Sequence, residues 1–145
     1  MTHQKIEIIG YLGADPEMRF TASGQPVTNF SVATNRKYKN ASGEDVKETT
    51  WFKVSAWGKL AEVCNTYLHK GSQVYIEGRL IADPATGGPR LWTRQDGSPA
   101  ASFELRANLV LFLGGKNGNV PAPSNGEGNG APAEAASAEE DQIPF

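Results

Sequence analysis

Ile6, Ile8 and Leu12 occupy even positions in the first apolar stretch, with Gly10 among them. Alternation of this kind puts one face of a strand toward a core. The Asp15-Pro16 and Ser23-Gly24 turns bracket a short segment that ends in Arg19-Phe20. Phe30, Val32 and Thr34 then alternate with Asn29, Ser31 and Ala33, which predicts a second strand. Lys39 to Glu44 reads as a polar loop, and Trp51 to Trp57 as a third strand. Val74, Ile76 and Leu80, with Gly78 between them, mark a fourth. Phe103, Leu105 and Ala107 mark a fifth, and Leu109, Leu111 and Leu113 continue its pattern.

The period changes once. Leu60, Val63, Cys64, Tyr67 and Leu68 fall at helical spacing, and Gly71 suits the position just past a helix end. His69 and Lys70 suit the negative end of the helix dipole. Three strands, a helix and two more strands is the order of an OB-fold, a five-stranded all-β barrel with a helix between strands three and four. Cys64 then belongs to the core rather than to a reactive site.

Composition changes sharply after Leu113. Residues 114–145 contain six Gly, six Ala, four Pro and four Asn, and no aromatic residue before Phe145. Such a segment buries too little apolar surface to offset its ordering entropy, so a disordered tail is expected. The expected organisation is a barrel domain over 1–113, a linker over 114–138 and an acidic tip over 139–145. The net charge of −2 conceals this division. Residues 1–113 hold 13 Lys and Arg against 11 Asp and Glu, whereas the tail holds one Lys against five acids. A basic body with an acidic tail suggests a polyanion-binding surface.

The third strand sharpens that suggestion. Its odd positions are Trp51, Lys53, Ser55 and Trp57, followed by Lys59. Its even positions, Phe52, Val54 and Ala56, suit a core. A face that interleaves two Trp with Lys suits neither core nor ordinary solvent exposure. It does suit a single nucleic-acid strand, because any base stacks on an indole and lysines neutralise the passing phosphates. Two loop segments repeat the theme. Arg36, Lys37 and Lys39 surround Tyr38 after strand two, and Arg90 and Arg94 flank Trp92 between strands four and five.

Catalytic signatures are missing. No P-loop is present, and His3 and His69 have no recognisable nucleophile or metal partner. A single cysteine excludes an intrachain disulfide framework and speaks against zinc. No cofactor is implied. The N-terminus has no apolar signal core, and no stretch approaches a membrane span, so a cytoplasmic, nucleoid-associated protein is expected.

The run from Ile8 to Phe20 resembles the opening of bacterial single-stranded DNA-binding proteins. The runs Gly58 to Val63 and Tyr67 to Leu80 are similar to the same family, as is the terminal Asp141-Gln142-Ile143-Pro144-Phe145. The resemblance implies a non-enzymatic protein that coats single-stranded DNA in replication, recombination and repair. It implies stacking roles for Trp51, Trp57 and Trp92, and a further one near Tyr38. It implies a homotetramer, with Gln73 and Tyr75 at inter-dimer contacts. It also implies that the tip, Glu139, Glu140, Asp141, Gln142, Ile143, Pro144 and Phe145, docks partners such as helicases, exonucleases and a clamp-loader subunit.

Three features depart from the family pattern. Residues 83–90 look inserted ahead of Trp92, the 32-residue tail is short, and the tip lacks an aspartate run. The competing readings are a primosomal or conjugation-associated OB relative, an OB-fold nuclease, and an RNA-binding module. A nuclease needs a carboxylate cluster for metal, which the scattered acids do not supply.

Overall fold

The computed structural model describes residues 1–114. The expected linker beyond Gly114 and the tip Glu139 to Phe145 lie outside the described residues. The elements run β1 (Ile6–Leu12), β2 (Glu17–Phe20), β3 (Pro26–Lys39), β4 (Asp45–Trp57), α1 (Lys59–Tyr67), β5 (Gln73–Leu80), β6 (Arg90–Thr93) and β7 (Pro99–Leu113).

Five strands make the barrel. Hydrogen bonding follows the order β1-β5-β7-β4-β3, and β1 returns to β3 through Tyr11↔Ala33 and Leu12↔Val32. Most pairings are antiparallel, but β4 and β7 run parallel from Phe52↔Phe103 to Ser55↔Arg106. Inward residues from every barrel strand meet in one core, with Val32, Val54, Val74, Ile76 and Leu105 almost wholly removed from solvent. The expected OB-like architecture is present, with the helix between the third and fourth barrel strands.

Helix α1 seals one end. Ala61, Cys64 and Leu68, just past its last turn, are its buried contacts. The buried Thr28 hydroxyl on β3 donates to the Ala61 carbonyl at 2.7 Å, which fixes the helix against the barrel. Burial pushes the Cys64 thiol up to about 12, as befits an inert core residue. The helix ends earlier than its sequence suggests. Leu68 is already extended, and Gly71, with φ of +87°, lies in the following turn rather than at the helix end.

Other differences concern one short segment left unassigned between two turns and two segments expected as loops. Glu17–Phe20 is a strand, held by pairing with Pro26 to Asn29. Residues 35–39 belong to β3 and pair with Asp45 to Thr49 of β4, so Tyr38 and its basic neighbours stand on a two-stranded arm. Arg90–Thr93 is also a strand, paired with the beginning of β7. Polar sequence concealed all three, because ladder hydrogen bonds need no apolar side chains.

The last strand changes face midway. Ala107 pairs with Gly78 while Leu109 pairs with Glu77, leaving Asn108 as an extra residue. A one-residue bulge inverts all later side chains. Val110 therefore enters the core, and Leu109 and Leu111 face outward, contrary to the continued pattern of odd leucines. Phe103, at the other end, is more than half exposed and rests against Phe52 at 5.8 Å between ring centroids.

Two glycines permit closure. A Cβ on Gly10 would collide with the Ala33 carbonyl oxygen, and one on Gly78 with that of Arg106. Gly78→Ala should destabilise the domain by about 1–3 kcal/mol, the usual cost of overpacking. Urea unfolding monitored by circular dichroism checks this; an unchanged midpoint would mean that the backbones need not approach so closely.

Candidate nucleic-acid interface

Strand alternation on β4 sends Val54 and Ala56 into the core and leaves Trp51, Lys53, Ser55 and Trp57 on the outer surface. Trp51 is the more open of the two indoles, at 53% exposure. Its ring lies over Gly13, where even a Cβ would meet its six-membered ring at 2.5 Å. Trp57 is half-buried. Its Nε1 donates to Ser55 Oγ at 3.4 Å, and Ser55 in turn donates to the Leu105 carbonyl at 3.3 Å.

Strand β6 folds Trp92 back onto this surface. The Trp92 Nε1 donates to Ser102 Oγ on β7 at 2.9 Å, while Lys53 Nζ stands 5.0 Å from its ring centroid. Arg94 approaches the same ring at 5.9 Å. Such cation–π contacts hold a ring in place while leaving part of it open. Arg90 lies 3.9 Å from Glu104, the cross-strand partner of Lys53. The fold thus gathers Lys53, Trp92, Arg90 and Arg94 from distant parts of the sequence into one cluster.

An open groove of about 420 Å³ crosses this region, lined by Asn29, Ser31, Lys53, Ser55, Arg90 and Glu104. A second depression of about 390 Å³ lies beside Trp51 and shares Ser31 and Lys53 with the first. Aromatic, cationic and small polar side chains therefore line one shallow track.

The arm is separate from that cluster. The Tyr38 hydroxyl donates to Glu48 Oε1 at 3.1 Å, and Arg36 covers its ring at 4.9 Å. The carboxylate acceptor favours the protonated phenol, so Tyr38 ionises above the ordinary tyrosine range. Arg36 and Lys39 lie 3.8 and 3.9 Å from Glu48 and Asp45. Lys37 faces Lys47, a residue the sequence reading omitted because register alone brings the two together. Lys59 opens the helix and pairs with Glu62 at 3.6 Å. Arg106 was also omitted, although its guanidinium lies 4.8 Å from the Trp57 ring centroid. Its outward position was legible in the alternation of Leu105 and Ala107 around it; its contact with Trp57 was not.

Gln73 and Tyr75 stand elsewhere, on the outward face of the β1-β5-β7 sheet. Cross-strand rows there are Ile9–Tyr75–Leu111 and Tyr11–Gln73–Leu113. Below them, the Tyr75 hydroxyl donates to Glu77 at 2.6 Å, and Lys5 bridges Glu7 and Glu77 at 2.7 and 3.0 Å. The hydrogen bond to Glu77 raises Tyr75 to about 12 and lowers Glu77. Among the described residues, no cluster of three His, Cys, Asp or Glu is placed to hold a metal ion, and no helix is long and apolar enough to cross a membrane.

The model of the single-strand binding protein family matches residues 3–113. Single-stranded DNA-binding protein 1 of Chlorobaculum tepidum is 37% identical over 163 aligned positions, covering 97% of this chain and 96% of that protein. The single-stranded DNA-binding protein of Neisseria meningitidis serogroup B is 37% identical over 130 positions, covering 90% of this chain and 71% of that one. The Plasmodium falciparum SSB in complex with ssDNA superposes with a TM-score of 0.63 at 26% identity, covering 79% of this chain and 97% of that chain. A deletion mutant of the Thermus aquaticus single-stranded DNA binding protein gives 0.61 at 25% identity; the match covers 79% of this chain and 52% of that longer one.

Proposed function

The chain belongs to the single-strand binding protein family, and we propose that it coats single-stranded DNA along the outward face of β4 during replication, recombination and repair. It is a binding protein, not an enzyme. The observation that carries this reading is the open surface of β4, where Trp51, Lys53 and Ser55 line the two depressions, Trp57 bonds to Ser55, and Lys53 Nζ stands 5.0 Å from the Trp92 ring centroid. Indoles supply sequence-tolerant stacking, and Lys53, Arg90 and Arg94 follow the phosphates. Tyr38, Arg36, Lys37 and Lys39 extend the track along the arm, and Lys59 borders it at the helix.

The barrel domain, residues 1–113, also assembles as a homotetramer in the cytoplasm. The apolar rows through Ile9, Tyr75 and Leu111 support this reading, since contiguous apolar surface of this kind is usually covered. Four short tracks then hold one strand jointly, which raises avidity through effective concentration. Residues 114–138 link the domain to the tip, where Glu139 to Phe145 dock replication and repair enzymes. Pro144 limits the backbone entropy lost on docking, Phe145 fills a pocket, and the acids steer the peptide toward a basic rim.

Titration of oligo(dT) against tryptophan fluorescence tests the track. Trp57→Ala should weaken binding by about 1–3 kcal/mol with little base preference. Lys53→Ala should flatten the dependence of log affinity on log salt by about 0.7. Unchanged values in folded variants would remove both residues from the track. Light scattering at micromolar concentration should give the mass of a tetramer; a monomer refutes the assembly. Deleting Ile143 to Phe145 should abolish enzyme docking and leave DNA affinity equal or slightly higher. Full docking by the truncated chain would contradict the role of the tip.

A further inference from the structure

Arg79 on β5 and Arg106 on β7 are cross-strand partners in register. Both side chains therefore leave the outward side of the sheet, opposite the buried Gly78 and Leu105. Like charges placed directly opposite one another destabilise a ladder. A nearby carboxylate would relieve the repulsion, yet neither arginine takes part in a salt bridge among the described residues. Arg36, Lys39, Lys59 and Arg90, by contrast, each have a carboxylate within 4.0 Å.

The pair directly continues the proposed track. Arg106 is also in register with Ser55 on β4, and its guanidinium lies 4.8 Å from the Trp57 ring centroid. One row thus runs Arg79, Arg106, Ser55 and Asn29 across four strands. A guanidinium stacks on an aromatic ring and still directs its planar donors at an anion, which an ammonium does less well.

We infer that Arg79 and Arg106 form a phosphate clamp, a subsite for the phosphodiester next to the base held at Trp57. The inference rests on the proposed binding of single strands along β4. The bound phosphate, with its single negative charge, relieves the repulsion between two facing cations that have no salt bridge among the described residues. Arg106 couples that phosphate to the indole, so backbone and base are held by one connected unit. The DNA path then leaves β4 by crossing β7 toward β5, rather than continuing only toward the helix.

Oligo(dT) affinity measured over a range of salt tests the clamp, using the full chain and the variants Arg79→Gln, Arg106→Gln, both together, and Arg106→Lys. The double variant should lower the slope of log affinity against log salt by about 0.7, the contribution of one phosphate, and each single Gln variant by less. A tenfold rise in salt then costs the double variant about fivefold less affinity than it costs the parent. Arg106→Lys should keep the parental slope, because the charge remains. Arg79→Gln should melt no lower than the parent, since it removes a repulsion and leaves the Arg106–Trp57 contact in place. A double variant with the parental slope overturns the clamp. So does a double variant whose slope is unchanged but whose mass in light scattering differs, which would make the pair a contact between subunits. The parent's own fluorescence titration reads strand binding independently, so loss of that reading is distinguishable from loss of the clamp.

Discussion

Closure of the sheet on itself sets the terms for everything outside it. Strand β1 must bond to β5 along its length and reach β3 at its end, which brings Gly10 against the Ala33 carbonyl. The same curvature brings Gly78 on β5 against the Arg106 carbonyl on β7. Side chains at these points would hold the strands apart. Once closed, the barrel places Val32, Val54, Val74, Ile76 and Leu105 in one interior, and every alternate residue is forced outward. The outward surface is thus a consequence of closure, and its chemistry is free to serve binding.

That surface has two distinct regions. On β4, β6 and the first half of β7 it carries indoles, cations and small polar groups. On β1, β5 and the second half of β7 it carries Ile9, Tyr75 and Leu111. The bulge at Asn108 separates them on β7: before it Glu104 and Arg106 face outward, after it Leu109 and Leu111 do. One extra residue therefore changes a polar outer edge into an apolar one without breaking the ladder.

The cations on the outer surface restrain the rings beside them. Lys53 lies over Trp92, Arg106 over Trp57 and Arg36 over Tyr38. Each contact restrains a large side chain that would otherwise explore several rotamers in solvent. Ser102 and Ser55 add hydrogen bonds to the two indole nitrogens. On the proposed reading, platforms already oriented in the free protein would lose less entropy when a base stacks on them.

Sequence alone determined the barrel strands, the helix between the third and fourth of them, and the outward placement of Trp51, Lys53 and Trp57. Those features follow from periodicity, which is local. It also marked Trp92, Arg90 and Arg94 as a basic aromatic segment, but read them as a loop. Tertiary structure decided that the segment is a strand bound to β7, and that Trp92 meets Lys53 across the surface. It decided the register that sets Arg79 against Arg106, and Lys37 against Lys47. It also decided the bulge that buries Val110 and exposes Leu111. None of these was legible in the chain, because each depends on which residue of a distant strand lies opposite, and only the closed ladder of hydrogen bonds fixes that.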